Sequence, residues 1–467
     1  MYPLETQAVA LNNSHLAWVD GVRGQAGPIY LAILNALADA IRSGALHPGD
    51  RLPAQRAVAE RLGVDLTTVT RAYSAARSRG LVEGTVGRGT FVRAQSQDDD
   101  PGLIDLSMNL PPPPEGLSLG ALLRETTSAI LQRSDASVLM GYHPGFGSLG
   151  QRAAGARWLA PCLGEIGPER LLVSPGAQSA LAAVLSATCR PGDTIIAEPL
   201  TYPGLIGIAR RLGLRLIACE TDAQGPIPAA LEALCAKERP SVLYLVPTMQ
   251  NPTASTLPPL LRAEIVRIAR AADVWILEDD PYSRLMDAPP PAIASLAPER
   301  TFHVATLAKC LSPGLRVAYL ACPPDWTERV ADALRALVLM PPPLMAAVAT
   351  RWIQDGVAET LLAAVRSETR ARRALAATTL PDAIGSPDSL HVWLPLPPGL
   401  AADRLRFAGQ ERGLALVTAE AFAVQSQHPA GARISVGGPS KRSVLEKGLR
   451  AVAELVDGGA DRPRMIV

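Results

Sequence analysis

The sequence predicts an α/β fold built on a mainly parallel sheet, with a small helical unit in front and a smaller C-terminal α+β lobe behind. Three observations predict it. Six short apolar runs, at 171–173, 194–197, 214–217, 242–246, 275–277 and 302–305, alternate with helix-patterned segments, as in βα units. Residues 94–104, Ala-Gln-Ser-Gln-Asp-Asp-Asp-Pro-Gly-Leu-Ile, are polar, acidic and broken by Pro-Gly, the composition of a linker. Pro341-Pro342-Pro343 interrupts a helical region and marks the passage to the last lobe. The expected domains are therefore 1–93, a linker over 94–104, and 105–467, with a large lobe to about 335 and a small lobe over about 340–460.

Length and composition bound the function. The 467 residues predict about three domains or sub-domains, and 48% apolar with 19% charged residues fits a globular chain, not a disordered one. No apolar stretch reaches the ~18 residues of a spanning helix, so no membrane partner is expected. Met1-Tyr2-Pro3-Leu4-Glu5 lacks a basic start followed by an apolar run, so no signal peptide is expected. The six cysteines are scattered, with no Cys-x-x-Cys and no zinc spacing, which predicts reduced thiols in a cytoplasm and no metal. The net charge of +1 says little, but its distribution says more: residues 41–93 hold nine arginines against Asp50, Glu60, Asp65 and Glu83. Only Lys237, Lys309, Lys441 and Lys447 could serve any chemistry that needs an amine.

In the first unit, Ile29, Ile33, Leu37 and Ile41 recur every four residues and Gly44 stops the helix. Pro53 opens a short second helix with Val58 and Leu62 inward and Gly63 past its end. Asp65 caps a third helix with Val69, Tyr73 and Ala76 inward, which Gly80 ends. Leu81-Val82-Glu83 and Thr90-Phe91-Val92 flank the glycine-rich tip Gly84-Thr85-Val86-Gly87-Arg88-Gly89. Three helices and a hairpin make a winged helix-turn-helix, whose third helix would enter a major groove and whose tip would approach a phosphate or the minor groove. The bland alternative is a solvated helical cap whose arginines only keep it soluble.

Leu52-Pro53-Ala54-Gln55-Arg56, Leu62-Gly63-Val64, the run Thr67-Thr68-Val69-Thr70-Arg71-Ala72-Tyr73, and Gly87-Arg88-Gly89-Thr90-Phe91-Val92 together resemble the GntR-type winged helix. The resemblance implies binding of double-stranded DNA through Arg56, Thr67, Thr68 and Arg88, and Thr70, Arg71 and Thr90 are further DNA-binding candidates. Leu66 stands where the family often has arginine, and leucine cannot make the bidentate contact to guanine, so the base preference is open while phosphate binding is not.

In the large unit, Ser174-Pro175-Gly176-Ala177-Gln178 follows a strand and opens a helix, so its backbone N–H groups can face an anion, or form an ordinary βα turn. Tyr202, in Glu198-Pro199-Leu200-Thr201-Tyr202-Pro203, can stack on a flat ring or fill core. Asn251, in Gln250-Asn251-Pro252-Thr253, can donate to a phenolate oxygen or form a turn. Glu278-Asp279-Asp280 ends a buried strand, where carboxylates need a metal or a protonated ring nitrogen to face. Thr306-Leu307-Ala308-Lys309 then supplies a rare lysine, with Arg316 seven residues on. A lysine amine forms a Schiff base with an aldehyde, an arginine clamps phosphate, and an acid keeps a pyridine nitrogen protonated. These are the parts of a pyridoxal 5′-phosphate (PLP) site.

Their order resembles the class I/II aminotransferases of fold type I over about residues 105–450. The resemblance implies that Lys309 forms the internal aldimine, Asp279 pairs with the ring nitrogen, and Asn251 and Tyr282 bind the ring oxygen. It also implies that Tyr202 stacks on the ring and that Ala177, Gln178, Thr306 and Arg316 hold the phosphate. Tyr142, in Tyr142-His143-Pro144-Gly145, matches a tyrosine that reaches a phosphate across a dimer, and Arg433 matches the arginine that grips an α-carboxylate. Both halves together resemble the MocR subfamily of bacterial transcriptional regulators. That implies a homodimer whose DNA binding responds to PLP or to an amino compound. A working aminotransferase is the alternative reading, and a regulator that has lost PLP is a third.

Overall fold

The computed structural model describes residues 13–22, 28–43, 45–47, 49–78, 81–85, 89–92, 103–133, 135–143 and 145–460. It divides into two compact units, Met1–Leu103 and Ile104–Val467.

The first unit holds α1 (Ile29–Arg42), α2 (Gln55–Leu62), α3 (Leu66–Ser78) and a hairpin of β1 (Val82–Thr85) with β2 (Gly89–Val92). Ile33 and Leu37 of α1 are buried, but Ile29 is half exposed. A strict four-residue spacing drifts around a helix of 3.6 residues per turn, so the inward face also recruits Ala32, Leu34, Ala36 and Ala40. Gly63 ends α2 in the left-handed region at φ +65°. The Asp65 carboxylate accepts from the Thr67 backbone N–H at 2.8 Å and starts α3. Val69, Tyr73 and Ala76 of α3 are buried, and the Tyr73 hydroxyl donates to the Pro53 carbonyl at 3.0 Å, tying α3 to the entrance of α2. The hairpin has a third edge that the sequence pattern does not show. The Gly49 and Leu52 N–H groups donate to the Val92 and Thr90 carbonyls, and the Val92 N–H donates to the Asp50 carbonyl, each at 2.8 Å.

The second unit is organised by one seven-stranded sheet. Its strands are β4 (Leu171–Ser174), β5 (Thr194–Ala197), β6 (Arg215–Ala218), β9 (Val242–Leu245), β10 (Trp275–Asp279), β11 (Thr301–Thr306) and β12 (Ala318–Ala321). A small ribbon of β7 (Thr221–Asp222) and β8 (Gly225–Pro226) lies between β6 and β9 in the chain. The order across the sheet is β4-β12-β11-β10-β9-β5-β6. β12 is antiparallel to both neighbours, so the other six strands run parallel and present their carboxyl ends on one edge. The six apolar runs of the sequence are those six strands; β12 is the additional one. Every residue of β4, β5, β9, β11 and β12 is buried, as a sheet covered on both faces requires.

The smaller lobe holds an antiparallel sheet ordered β13 (His391–Pro395), β16 (Gly431–Ser435) and β15 (Val417–Thr418). Two differences from the sequence expectation concern its limits. Helix Pro343–Gln354 still packs in the core of the large lobe through Val348, Ala349, Trp352 and Ile353. The passage falls inside helix Val357–Thr379, whose Leu361, Leu362 and Val365 belong to that core while Ala376 belongs to the core of the small lobe. Three prolines break a helix locally, but they do not decide which core the next helix covers. The small lobe also includes the start of the unit. β3 (Ile104–Asp105) pairs in parallel with β14 (Leu414–Ala415), and Leu106 is fully buried in the same lobe.

Candidate functional site

The carboxyl edge of the large sheet carries Asp279, Lys309 and the start of helix Ala177–Thr188. Asp279 is the last residue of β10 and is buried. Three neighbouring acids need three separate accounts. Glu278 accepts the Ile293 and Ala294 N–H groups at 2.9 and 2.8 Å and faces His303 Nδ1 at 3.0 Å. Burial disfavours charge on that histidine, but the Glu278 carboxylate outweighs it and raises the His303 pKa. Asp280 accepts the Ser283 N–H at 3.0 Å and the Ser283 hydroxyl. Asp279 receives the Tyr244 hydroxyl on Oδ2 at 2.7 Å, while its Oδ1 is buried without a partner. No cluster of His, Cys, Asp and Glu among the described residues could hold a metal ion. Burial pushes the Asp279 pKa up to about 6, so the carboxylate is one that an adjacent cation would stabilise.

Lys309 follows β11 by a short turn, in which the Thr306 hydroxyl accepts the Ala308 N–H at 3.1 Å. Its Nζ donates to the Asn109 carbonyl. Burial lowers its pKa to about 8, reinforced by the positive charges of Arg433 and Arg316 and opposed by Asp279. Those four residues therefore lie within electrostatic reach of one another. Tyr282 is buried, and its oxygen receives Asn109 Nδ2 at 2.9 Å. Arg433, buried in the middle strand of the small lobe, donates to Asn251 Oδ1 at 2.7 Å and to the Ser107 carbonyl, and its guanidinium lies 5.0 Å from the Phe422 ring centre.

A second cluster lies at the start of helix Ala177–Thr188. Gly176 caps it at φ +106°, and a Cβ there would meet Arg316 Nη2 at 2.5 Å. The exposed Arg316 donates to the Pro175 carbonyl at 3.0 Å. Tyr202 donates to Gln178 Oε1 at 2.8 Å. Free backbone N–H groups at a helix start, a guanidinium and the Thr306 hydroxyl are a donor set for a phosphate. Together with a desolvated lysine amine and a buried carboxylate with one free oxygen, the residues present fit PLP. Tyr142 is separate from these contacts in a single chain, and 80% of it is exposed.

The sequence pattern does not point to Asn109, whose carbonyl receives Lys309, to Tyr244, which donates to Asp279, to His391, whose ring centre lies 5.6 Å from that of Tyr282, or to Phe422, whose ring lies against the Arg433 guanidinium. Tyr244 had a faint signal, since it is the one polar group within an otherwise aliphatic strand.

In the first unit, Arg56 and Leu66 are exposed, Leu66 at the first position of α3. Thr67 and Thr70 are also exposed. The Thr67 hydroxyl lies 2.6 Å from Asp65 Oδ1, and the Thr70 hydroxyl lies 2.8 Å from Gln55 Oε1 and 2.9 Å from the Leu66 carbonyl, so each already has an acceptor within the unit. Thr68 is half-buried, and the Arg71 guanidinium stacks 4.0 Å from the Tyr30 ring centre. Thr90 lies in β2, half-buried, with its carbonyl paired to Leu52. Arg88 lies outside the described residues. Arg51, which no sequence motif singles out, is exposed and crosses the wing so closely that a Cβ on Gly89 would meet its Nε at 2.9 Å.

Residues 29–92 match the family of bacterial regulatory proteins of gntR type, and residues 101–450 match aminotransferase class I and II. The uncharacterized HTH-type transcriptional regulator YdeF of Bacillus subtilis is 30% identical over 460 residues, 96% of this chain and 98% of that one. A 2-aminoadipate transaminase of Thermus thermophilus is 27% identical over 370 residues, 77% of this chain and 91% of that one. Among solved structures, LysN, an α-aminoadipate aminotransferase from Thermus thermophilus complexed with N-(5′-phosphopyridoxyl)-L-leucine, superposes with a TM-score of 0.70 at 25% identity, over 83% of this chain and 99% of that one. The chain thus belongs to the aminotransferase class I and II family and, through its GntR segment and a regulator related over its whole length, to the MocR-type HTH transcriptional regulators.

Proposed function

We propose that the protein is a cytoplasmic regulator that binds double-stranded DNA through its winged helix, holds PLP on Lys309, and responds to PLP or an amino compound bound there. The observation that carries this reading is the pairing, in a chain with a winged helix, of a desolvated Lys309 amine with a buried Asp279 whose Oδ1 has no partner. When bound, PLP supplies an electron sink for the bonds around an attached amine. The chain's own residues do the rest. Asp279 keeps a proton on the ring nitrogen, and Tyr202 covers the ring face. Asn251 and Tyr282 bind the ring oxygen. The Ala177 and Gln178 N–H groups, Thr306 and Arg316 hold the phosphate. Arg433 binds a carboxylate of the effector. The chain acts as a homodimer, in which Tyr142 of the partner subunit reaches the phosphate.

A working aminotransferase is the second reading, favoured by the completeness of the site and by the similarity to a 2-aminoadipate transaminase. Gel-shift of the protein on its own promoter region, with and without PLP and amino compounds, tests the first. A ligand-dependent change in affinity or in the number of bands supports it, and unchanged binding under every condition counts against it.

A further inference from the structure

Asn109 and His391 are buried inside the site, and the hydrogen bonds around them fix the direction of each donor. His391 Nε2 lies 2.9 Å from the Gln250 carbonyl oxygen. A carbonyl only accepts, so the proton of the neutral ring is on Nε2 and Nδ1 is a lone pair. Burial keeps that ring neutral, driving its pKa down to about 3, and Arg433, Lys309 and Arg373 add like charge. The group 3.2 Å from Nδ1 is Asn109 Nδ2, which therefore donates. The opposite amide orientation would set oxygen lone pairs against the Nδ1 lone pair, so the histidine fixes the amide. The second N–H of the same Nδ2 reaches the Tyr282 oxygen at 2.9 Å. Tyr282 thus accepts from Asn109, and its own O–H proton is left to point elsewhere. Asn109 Oδ1 is buried with no partner, so this orientation is held at a cost.

We propose that Asn109 and His391 are positioning residues that aim the Tyr282 hydroxyl proton at the phenolic oxygen of the Lys309-bound cofactor and so set the pH at which that chromophore deprotonates. The proposal rests on the assignment of Lys309 and Tyr282 to the cofactor made above. A hydroxyl that donates to a phenolate favours the ionised form and lowers its pKa. The charged and titratable groups that face Tyr282 are Arg433, Asp279, Tyr202, Tyr244 and the His391 ring, and those that face Lys309 are Arg433, Asp279, Arg316 and His391. All of them remain in the variants below except His391, a ring that burial keeps neutral and that only His391→Phe removes.

The test is a spectrophotometric pH titration of the full-length protein loaded with PLP, with borohydride reduction and peptide mapping of each variant. Asn109→Leu should raise the chromophore pKa by about one unit, a tenfold change. His391→Phe, which frees the amide to turn, should raise it in the same direction by less, and it stands in if Asn109→Leu does not fold. In a Tyr282→Phe background, Asn109→Leu should add nothing, because the effect passes through the hydroxyl. An adduct on Lys309 with an unchanged pKa in both variants would overturn the proposal alone. So would an equal shift in the Tyr282→Phe background, since that would mark a general structural effect. An adduct on another lysine would overturn the cofactor assignment and this inference together.

Discussion

At the scale of single residues, Lys309 and Asp279 are set against each other by burial. The lysine is pushed down to about 8 and the acid up to about 6, each toward its neutral form. An ordinary lysine titrates near ~10.4, so a free amine becomes available at a much lower pH here. The rate at which added PLP attaches to Lys309 should therefore climb as pH rises through about 8 and level off above it. Because Asp279 holds the lysine pKa up, Asp279→Asn should move that rise to lower pH. Stopped-flow absorbance measures both, and Lys309→Ala should form no borohydride-stable adduct. A rate rise centred near the ordinary lysine value would show that the amine is not desolvated.

At the scale of elements, three connections can be broken separately. Gly176 combines a left-handed φ with a close approach to Arg316, so Gly176→Ala strains the turn and displaces the guanidinium. The expected outcome is weaker PLP retention in equilibrium dialysis with little loss of helix by circular dichroism. In the winged helix, Arg56 is an exposed cation on α2 and Arg51 an exposed cation along the wing. Each alanine variant should weaken binding to all duplexes alike. It should also flatten the plot of log affinity against log salt by about one unit for each phosphate no longer neutralised. Full parental affinity and slope in both variants would place the DNA on another face. The third connection is Ser107 to Arg433. That carbonyl sits on the guanidinium which a ligand carboxylate would need, and the same short segment carries the Asn109 carbonyl that receives Lys309. A phosphopyridoxyl amino acid should therefore change hydrogen exchange over residues 104–110. The analogue without a carboxylate should change it less.

At the scale of the whole chain, a regulator and an aminotransferase place opposite demands on the same site. A ligand changes DNA binding only if it favours one arrangement over another, and a tenfold preference amounts to ~1.4 kcal/mol. Rapid turnover would keep removing the complex that carries the signal. With amino donor, 2-oxo acid and PLP-loaded protein, product should stay close to the protein concentration. Many turnovers, with no ligand effect in the gel-shift, would favour the enzyme.

Much of this protein is legible in one dimension. Periodicity, caps and turn residues act over a few positions, so α1 to α3, the hairpin and six strands of the large sheet can be read directly. The residues just past those strands can be read too, because a buried strand that ends in carboxylates, or a lone lysine among many arginines, is a local anomaly. Tertiary structure decided what joins distant positions. Asn109 meets Tyr282 across 173 positions and His391 across 282, and no local pattern encodes such a pair. The same holds for the third wing edge, for β12, and for the return of residues 104–106 to the small lobe, since strand pairing is chosen by which edges the packed cores leave open. Local pattern alone places these chemical groups at the strand ends. Only packing decided which of them are dry, which way their protons point, and which oxygen of Asp279 is left free.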